Sequence, residues 1–521
     1  MPLPELIAHL LEPCAYPHTV HEVRLIETHI SWVLIAGDFA YKVKKPLDLG
    51  FLDFSSLDKR RHYCEEEVRL NRRLAPQIYL DAVAITGSAA APKIGGDGPV
   101  LEWAVRMRAF PADSTLDQTH PISTAQIDAI ADAVARFHRN LSPAPADCSS
   151  GEPAAVLQPA LENFAQIRAL GPSVETQTLL DRLETWTRTE GERLAHVFSE
   201  RRKAGAIREC HGDLHLGNIA WVADAPLIFD CIEFNPRLRW IDVLSELAFL
   251  FMDLVHRERA DLAWRLLNRY LEHTGDYPGL DVFRFYLVYR AMVRAKVAAI
   301  RAHQQPNAGD SALPGYLALA EHLSRPRPAA LLLMHGVSGS GKTWLAQRVL
   351  EQIGAVHLRS DVERKRLFGL DALADSRHIP GGIYTEAASA RTFQHLRDLA
   401  HGLVQIGFTV IVDATFLKQA HRAPFVQLAE QLPVPLRILS LQADPSLLRQ
   451  RVRQRMAEAS DASEADLAVL EAQLQGIDPF TGAESERVVA FRAADSADWT
   501  RLIAELPPPA PRPGIESPSR T

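Results

Sequence analysis

The chain has little cysteine, no long apolar run and no excess of basic charge. Its five cysteines (Cys14, Cys64, Cys148, Cys210 and Cys231) are odd in number, scattered, and never spaced as C-x-x-C. That pattern excludes a disulfide framework and a zinc ribbon, and it points to free thiols in a reducing compartment. Apolar runs such as LAFLFM fall far short of the about 18 residues that a membrane-spanning helix needs. The first residues, MPLPELIAHLLEPC, place no basic segment ahead of their short apolar stretch, so nothing there reads as a secretory leader. We therefore expect a cytoplasmic protein with no membrane partner. Lys and Arg total 57 against 64 Asp and Glu, a formal charge of -7. This balance argues against a basic surface that coats nucleic acid, while leaving room for local phosphate sites.

What is present is ordinary globular composition, 47% hydrophobic and 23% charged over 521 residues, enough for two large domains or three smaller ones. Proline and arginine alternate at Arg325-Pro326-Arg327-Pro328, where proline bars helix continuation. We place a first domain at 1–324, a linker at 325–328, a second domain at 329–505, and a proline-rich disordered tail at 506–521. Residues 22–45 read as an antiparallel meander with a tight turn at Gly37-Asp38, followed by a helix over 55–75 and further strands near 78–86 and 99–109. Helical spacing then dominates to about 324, with long segments at 174–204, 240–272 and 280–303 and short strands near 206–231. After residue 329, the strands LLLMHG, AVHLRS, TVIVDA and LRILSL alternate with helices, the signature of a parallel α/β sheet. Two folds are expected on one chain: an α+β two-lobed domain, then an α/β domain.

The second half carries GVSGSGKT between a buried-looking strand and a helix, the context that the G-x-x-x-x-G-K-[ST] motif requires. Gly336, Val337, Ser338, Gly339, Ser340 and Gly341 would wrap their amides around a polyphosphate at a helix N-terminus. Lys342 would reach the outer phosphates, and Thr343 would offer its hydroxyl to Mg²⁺. Asp361, at the end of the next strand, could accept a proton from an attacking hydroxyl, with Arg364 one turn on to orient it; the same aspartate could instead cap the helix. Asp413 ends TVIVDATF at a position suited to a carboxylate near the metal. Arg451 and Arg455 share one helix face, fit either for a lid over phosphates or for a solvated surface.

These motifs, with VIVDATFLKQAHR and its Arg422, resemble the small P-loop kinases that include gluconate kinases, zeta-toxin-like kinases and 5'-hydroxyl polynucleotide kinases. The resemblance implies that Asp361 is a general base and that Arg364 sits on the acceptor. It does not carry over the acceptor's identity.

The first half carries HGDLHLGN at 211–218, then a strand, turn and strand ending at Asp230. This is the H-x-D-x-x-x-x-N arrangement: Asp213 to take a hydroxyl proton, Asn218 for one metal ion, Asp230 for the metals that hold the triphosphate. A lysine must come from the β lobe. Lys42 and Lys44 in FAYKVKK point to the same face of one strand, so both stay open, with Lys42 the better match to the apolar-apolar-Lys pattern. Glu67 is the expected helix partner of that lysine, after Glu65 and Glu66. Asp242 is expected to buttress the catalytic loop.

HGDLHLGN resembles the aminoglycoside phosphotransferases and their relatives acting on small alcohols, through Lys42, Glu67, His211, Asp213, His215, Asn218 and Asp230. The resemblance implies that EWAVRMRAF is an interlobe hinge whose backbone, at Arg106 and Met107, meets adenine. It departs from the kinase pattern in having no glycine-rich loop before Lys42. The order of the halves resembles the bifunctional aminoglycoside phosphotransferase/ATP-binding proteins. A protein-kinase-like domain followed by a P-loop kinase domain is therefore expected, with ATP and Mg²⁺ as cofactors at two sites. Small hydroxylated acceptors are expected, and nucleic acid is disfavoured. Two other readings remain: a first half that binds nucleotide only to regulate the second, and an ATP-dependent antitoxin-like or scaffold protein.

Overall fold

The computed structural model describes residues 3–50, 52–118, 121–304, 312–376, 378–379, 382–458 and 461–492. The expected tail at 506–521 lies outside the described residues. The chain forms two compact units, one of residues 1–156 and 198–253, the other of residues 157–197 and 254–521. The helices expected after residue 254 thus group with the P-loop fold, while the expected linker at 325–328 falls within the second unit. No helix among the described residues is long and apolar enough to cross a membrane. All five cysteines are free thiols.

The first unit is built on a six-stranded antiparallel sheet in the spatial order 23–27, 31–36, 39–44, 100–108, 79–88 and 91–94. Strands Ser31–Ala36 and Phe39–Lys44 pair from Ala36↔Phe39 to Ser31↔Lys44, which leaves Gly37 and Asp38 as a two-residue turn, with Gly37 at φ 59°. Helix Leu57–Asn71 begins where the Ser56 side chain accepts the Lys59 N–H, a cap that satisfies one orphan amide. It brings Glu67 under the sheet. A hairpin, Ile219–Val222 with Ala225–Ile228, turns through Ala223 and Asp224, both at positive φ. It carries the chain from Asn218 to Asp230.

The second unit holds a five-stranded parallel sheet in the order 356–359, 410–413, 331–335, 436–442 and 488–492. Leu331–His335 is buried along its whole length, as a central strand covered on both faces must be. Its carboxyl end runs directly into the glycine loop, so the loop sits at the crevice between 331–335 and 410–413, where strand order reverses and α/β sheets hold ligands. The fifth strand, Val488–Arg492, carries the apolar run VVAF and adds a strand to the four expected from sequence. The expected helical run 240–272 is two helices, Val243–His256 and Ala260–Thr274. The backbone turns left-handed at Glu258, φ 61°, which ends the first helix. Likewise 174–204 divides at Leu194 into Val174–Arg193 and Ala195–Lys203.

Helix Ala260–Thr274 packs against the P-loop sheet. Gly354 closes helix Lys342–Ile353 at φ 73°, and a Cβ there would lie 2.5 Å from Trp264 Nε1. Gly354→Ala is accordingly expected to cost about 2 kcal/mol or more, from both strain at positive φ and the clash with the indole. Denaturant unfolding of the full chain measures it, and a cost indistinguishable from zero contradicts this packing.

Candidate active sites

In the first unit the strand Phe39–Lys44 sends Lys42 and Lys44 to one buried carboxylate. Lys42 Nζ donates to Glu67 Oε1 at 2.8 Å and to Asp230 Oδ1 at 2.6 Å. Lys44 Nζ donates to Glu67 Oε2 at 2.6 Å and also to Glu233. Lys44 is fully buried, whereas Asp230 is half-exposed. The two lysines therefore differ: Lys42 joins Glu67 to the half-exposed Asp230, and Lys44 is closed off beneath, under the Phe54 ring at 4.9 Å. Burial would raise the Glu67 carboxyl, but the charges of Lys42 and Lys44 hold it below its ordinary value. Three carboxylates face two ammonium groups here, an excess of negative charge that suits a cation at Asp230.

The catalytic-type loop lies alongside. Asn218 Nδ2 donates to the Asp213 carbonyl at 2.9 Å and to its Oδ2 at 3.1 Å, leaving Asn218 Oδ1 as an acceptor oxygen for a metal. His215 Nε2 lies 3.4 Å from Asp213 Oδ2. The Phe229 N–H donates to the Asn218 carbonyl at 3.0 Å, so the hairpin sets Asn218 beside the residue that precedes Asp230. Asp230 itself takes φ 65°, a left-handed conformation that costs energy and is fixed by its N–H donating to Tyr79 Oη at 3.1 Å. Asp242 receives Arg201 through two bonds of 2.5 and 2.7 Å, both groups buried. Arg106 pairs with Asp81 on the neighbouring strand at 2.6 and 2.9 Å. The hydrogen-donating groups and hard oxygens fit ATP with Mg²⁺.

In the second unit a cavity of about 500 Å³ is lined by Ser338, Gly339, Gly341, Lys342 and Thr343 with Asp361, Arg364, Asp413, Arg451 and Arg455. The loop holds Gly336, Gly339 and Gly341 at φ 149°, 81° and 96°, and a Cβ on Gly336 would meet the Leu441 carbonyl at 2.9 Å. Only glycine permits that path. Lys342 Nζ donates to the Val337 carbonyl at 2.9 Å, and Thr343 Oγ1 donates to Asp413 Oδ2 at 2.7 Å. Burial would raise the Asp413 carboxyl, yet the adjoining His357 and the charges of Lys342 and Arg359 hold it at about 2. An ionised carboxylate beside a hydroxyl at the end of a phosphate loop is a donor set for Mg²⁺. Arg451 reaches the Gly339 carbonyl at 3.3 Å, and Arg455 donates to the Ala465 carbonyl at 2.6 Å. Arg364 donates to the Ile383 carbonyl at 2.9 Å and lies over the Tyr384 ring, with its Nε buried and unpartnered. Arg422 is wholly structural, fully buried and paired with Glu484 at 2.8 Å.

Residues 52–286 match the family model described as the phosphotransferase enzyme family, and residues 331–480 match an AAA domain model. An uncharacterized protein of Mycobacterium tuberculosis (strain H37Rv) is 31% identical over 449 residues, which span 86% of this chain and 89% of that protein. The chain belongs to the bifunctional aminoglycoside phosphotransferase/ATP-binding protein family. It is also similar to a choline/ethanolamine kinase family protein from Mesorhizobium loti, 13% identical over 58% of this chain and 88% of that one, with a TM-score of 0.37. A gluconokinase from Sinorhizobium meliloti is 21% identical over 35% of this chain and 90% of its own, with a TM-score of 0.24. By its two family models, this family member joins a phosphotransferase domain to an AAA-type P-loop domain.

Several residues of both sites escape the motifs. Glu246 is buried in helix Val243–His256; its Oε1 takes the His211 N–H at 3.0 Å and lies 3.0 Å from His138 Nε2, and its Oε2 takes the Gly212 N–H at 2.6 Å. Asp253, two turns further along the same helix face, accepts the Leu216 N–H at 3.0 Å. One helix therefore holds HGDLHLGN at its first two residues and at Leu216. The i, i+7 spacing of these two acids in an otherwise apolar helix is the available signal. In the P-loop domain, His357 and Arg359 on strand Val356–Arg359 lie beside Asp413 and in the cavity wall.

Burial would lift the Glu246 carboxyl, but His138 and the Gly212 N–H hold it at about 2, below its ordinary 4.5. A carboxyl depressed in the folded state contributes stability that is complete above its unfolded value and is lost as pH falls toward the folded one. The family member is expected to lose stability between those two values, and Glu246→Gln to lose less over the same window while starting about 1–3 kcal/mol lower at neutral pH. Denaturant titrations at neutral pH and at about pH 3 check both signs.

Proposed function

We propose that the protein is a bifunctional ATP-dependent kinase that transfers γ-phosphoryl groups to the hydroxyls of small molecules at two ATP and Mg²⁺ sites. The reading rests on one observation made twice: each half gathers a lysine, hard oxygen donors for a cation, and a part-exposed aspartate able to take a proton. In the first half, Lys42 would hold the α and β phosphates, with Glu67 orienting it. Asn218 and Asp230 would hold Mg²⁺, and Asp213 would accept the acceptor's proton. Lys42 is preferred over Lys44 because it alone of the two reaches Asp230.

In the second half the glycine loop would cradle the triphosphate, Lys342 would leave the Val337 carbonyl for the outer phosphates, and Thr343 and Asp413 would hold Mg²⁺. Asp361 would serve as general base. Arg451 and Arg455, at the rim of the cavity, would meet the charge that develops on the transferred group. The unpartnered Arg364 Nε supports an acceptor that presents an oxygen to it. A net charge of -7 disfavours long nucleic acids as that acceptor, and a small hydroxylated metabolite is the better fit.

One observation favours a second reading for the first half. The strands before Lys42 close through only Gly37 and Asp38, which leaves no glycine-rich flap to cover phosphates, as a nucleotide-sensing half without turnover would tolerate.

The test is a screen of small alcohols with the full chain and labelled ATP, repeated with Asp213→Asn and with Asp361→Asn. Each variant is expected to abolish one product class by about two to four decades while sparing the other. Product formation unchanged by Asp213→Asn would assign the first half to regulation, and no product of either class would refute the bifunctional reading.

A further inference from the structure

Strand Val356–Arg359 is an edge of the P-loop sheet, pairing along one side with Val410–Asp413. Its other side carries peptide groups that would be left open. Asn268, in helix Ala260–Thr274, supplies what a neighbouring strand would: its Nδ2 donates to the Ala355 carbonyl at 2.8 Å, and its Oδ1 accepts the His357 N–H at 2.6 Å. Asn268 is 3% exposed and also donates to the Trp264 carbonyl at 2.9 Å. Its amide is used at both ends.

The clamped residue is the one that touches the metal-type carboxylate. His357 is buried, with Nε2 3.2 Å from Asp413 Oδ2, the same oxygen that takes the Thr343 hydroxyl at 2.7 Å. Two residues on, and on the same strand face, Arg359 lines the nucleotide cavity and pairs with Asp461 at 3.0 Å. Arg359 also reaches Glu272 at 3.5 Å, and Glu272 lies four residues after Asn268, on the same side of the helix. Further contacts fix the helix in place. Arg366 donates to the Glu272 carbonyl at 2.7 Å, and Arg265 pairs with Glu351 at 2.7 Å.

We infer that Asn268 and Glu272, which lie within the region matched by the phosphotransferase model, are positioning residues of the P-loop site. Asn268 fixes His357 and, through it, the Asp413 oxygen that faces Thr343; Glu272 fixes Arg359 on the cavity wall. A segment counted by sequence with the first half thus completes the metal end of the second site. The inference rests on the nucleotide reading of that site and adds residues to it that no motif contains.

The test is Mg²⁺-linked nucleotide binding to the full chain. Affinity for a non-hydrolysable ATP analogue is measured by calorimetry with Mg²⁺ and with EDTA, the second site being the binding that Lys342→Ala removes. Asn268→Ala and Glu272→Gln are each expected to lower the affinity gained from Mg²⁺ by about fivefold or more, with EDTA affinity within about twofold of the parent. In a His357→Ala background, Asn268→Ala is expected to change that gain no further, because its effect passes through His357. Glu272→Gln, whose side chain is partly exposed, keeps the test open should Asn268→Ala fold poorly. An undiminished Mg²⁺ gain in both variants overturns the positioning role alone. A parent chain with no binding sensitive to Lys342→Ala overturns the nucleotide reading together with it.

Discussion

Glu67 is fully buried and ionised, and a buried charge must be met by opposite charge or it destabilises the fold by several kcal/mol. Two lysines from one strand answer it, and through them the β sheet, helix Leu57–Asn71 and the segment 230–233 are tied together. Removing either lysine would leave the buried Glu67 with one cation fewer in a low-dielectric interior. The same requirement governs the second unit, where Asp413 loses its water and is met by a hydroxyl, an imidazole and nearby cations. Both clusters keep one aspartate part-exposed. In the first unit that residue is Asp230, and in the second it is Asp361, on the wall of the cavity that Asp413 also lines.

The scaffold around each cluster is conservative in its physics. Among the residues at positive φ, Asp230 lies in the first candidate site and Gly336, Gly339 and Gly341 lie in the glycine loop of the second, where backbone must come close to a polyanion. Helices supply the rest. Val243–His256 holds His211, Gly212 and Leu216 of HGDLHLGN with two acids, and Ala260–Thr274 holds the edge of the P-loop sheet with one asparagine. These consecutive helices lie three residues apart in sequence yet serve different sites.

Much of this was legible in the sequence, for a clear reason. GVSGSGKT and HGDLHLGN are local motifs whose spacing alone fixes geometry, and the alternation of strands and helices after residue 329 fixes a parallel sheet. The strand face shared by Lys42 and Lys44 was also readable, but which lysine meets Asp230 depends on packing across nearly the whole first half. His357, Arg359 and Asn268 were not legible, because each acts through contacts with residues far off in sequence. Asn268 sits in an amphipathic helix where a lone amide carries no signal. The Pro-Arg run at 325–328 reads as a boundary because proline ends helices. Compactness is decided instead by the surface that Trp264 and its neighbours bury, and that surface belongs to the unit containing 254–324.

A chain with two nucleotide sites, as proposed, binds two nucleotides. Equilibrium dialysis of the full chain against a non-hydrolysable ATP analogue with excess Mg²⁺ counts them directly. Saturation is expected at two nucleotides per chain, falling to one when either lysine, Lys42 or Lys342, is replaced by alanine. Saturation at one nucleotide per chain, or a stoichiometry unmoved by Lys42→Ala, would contradict the proposal.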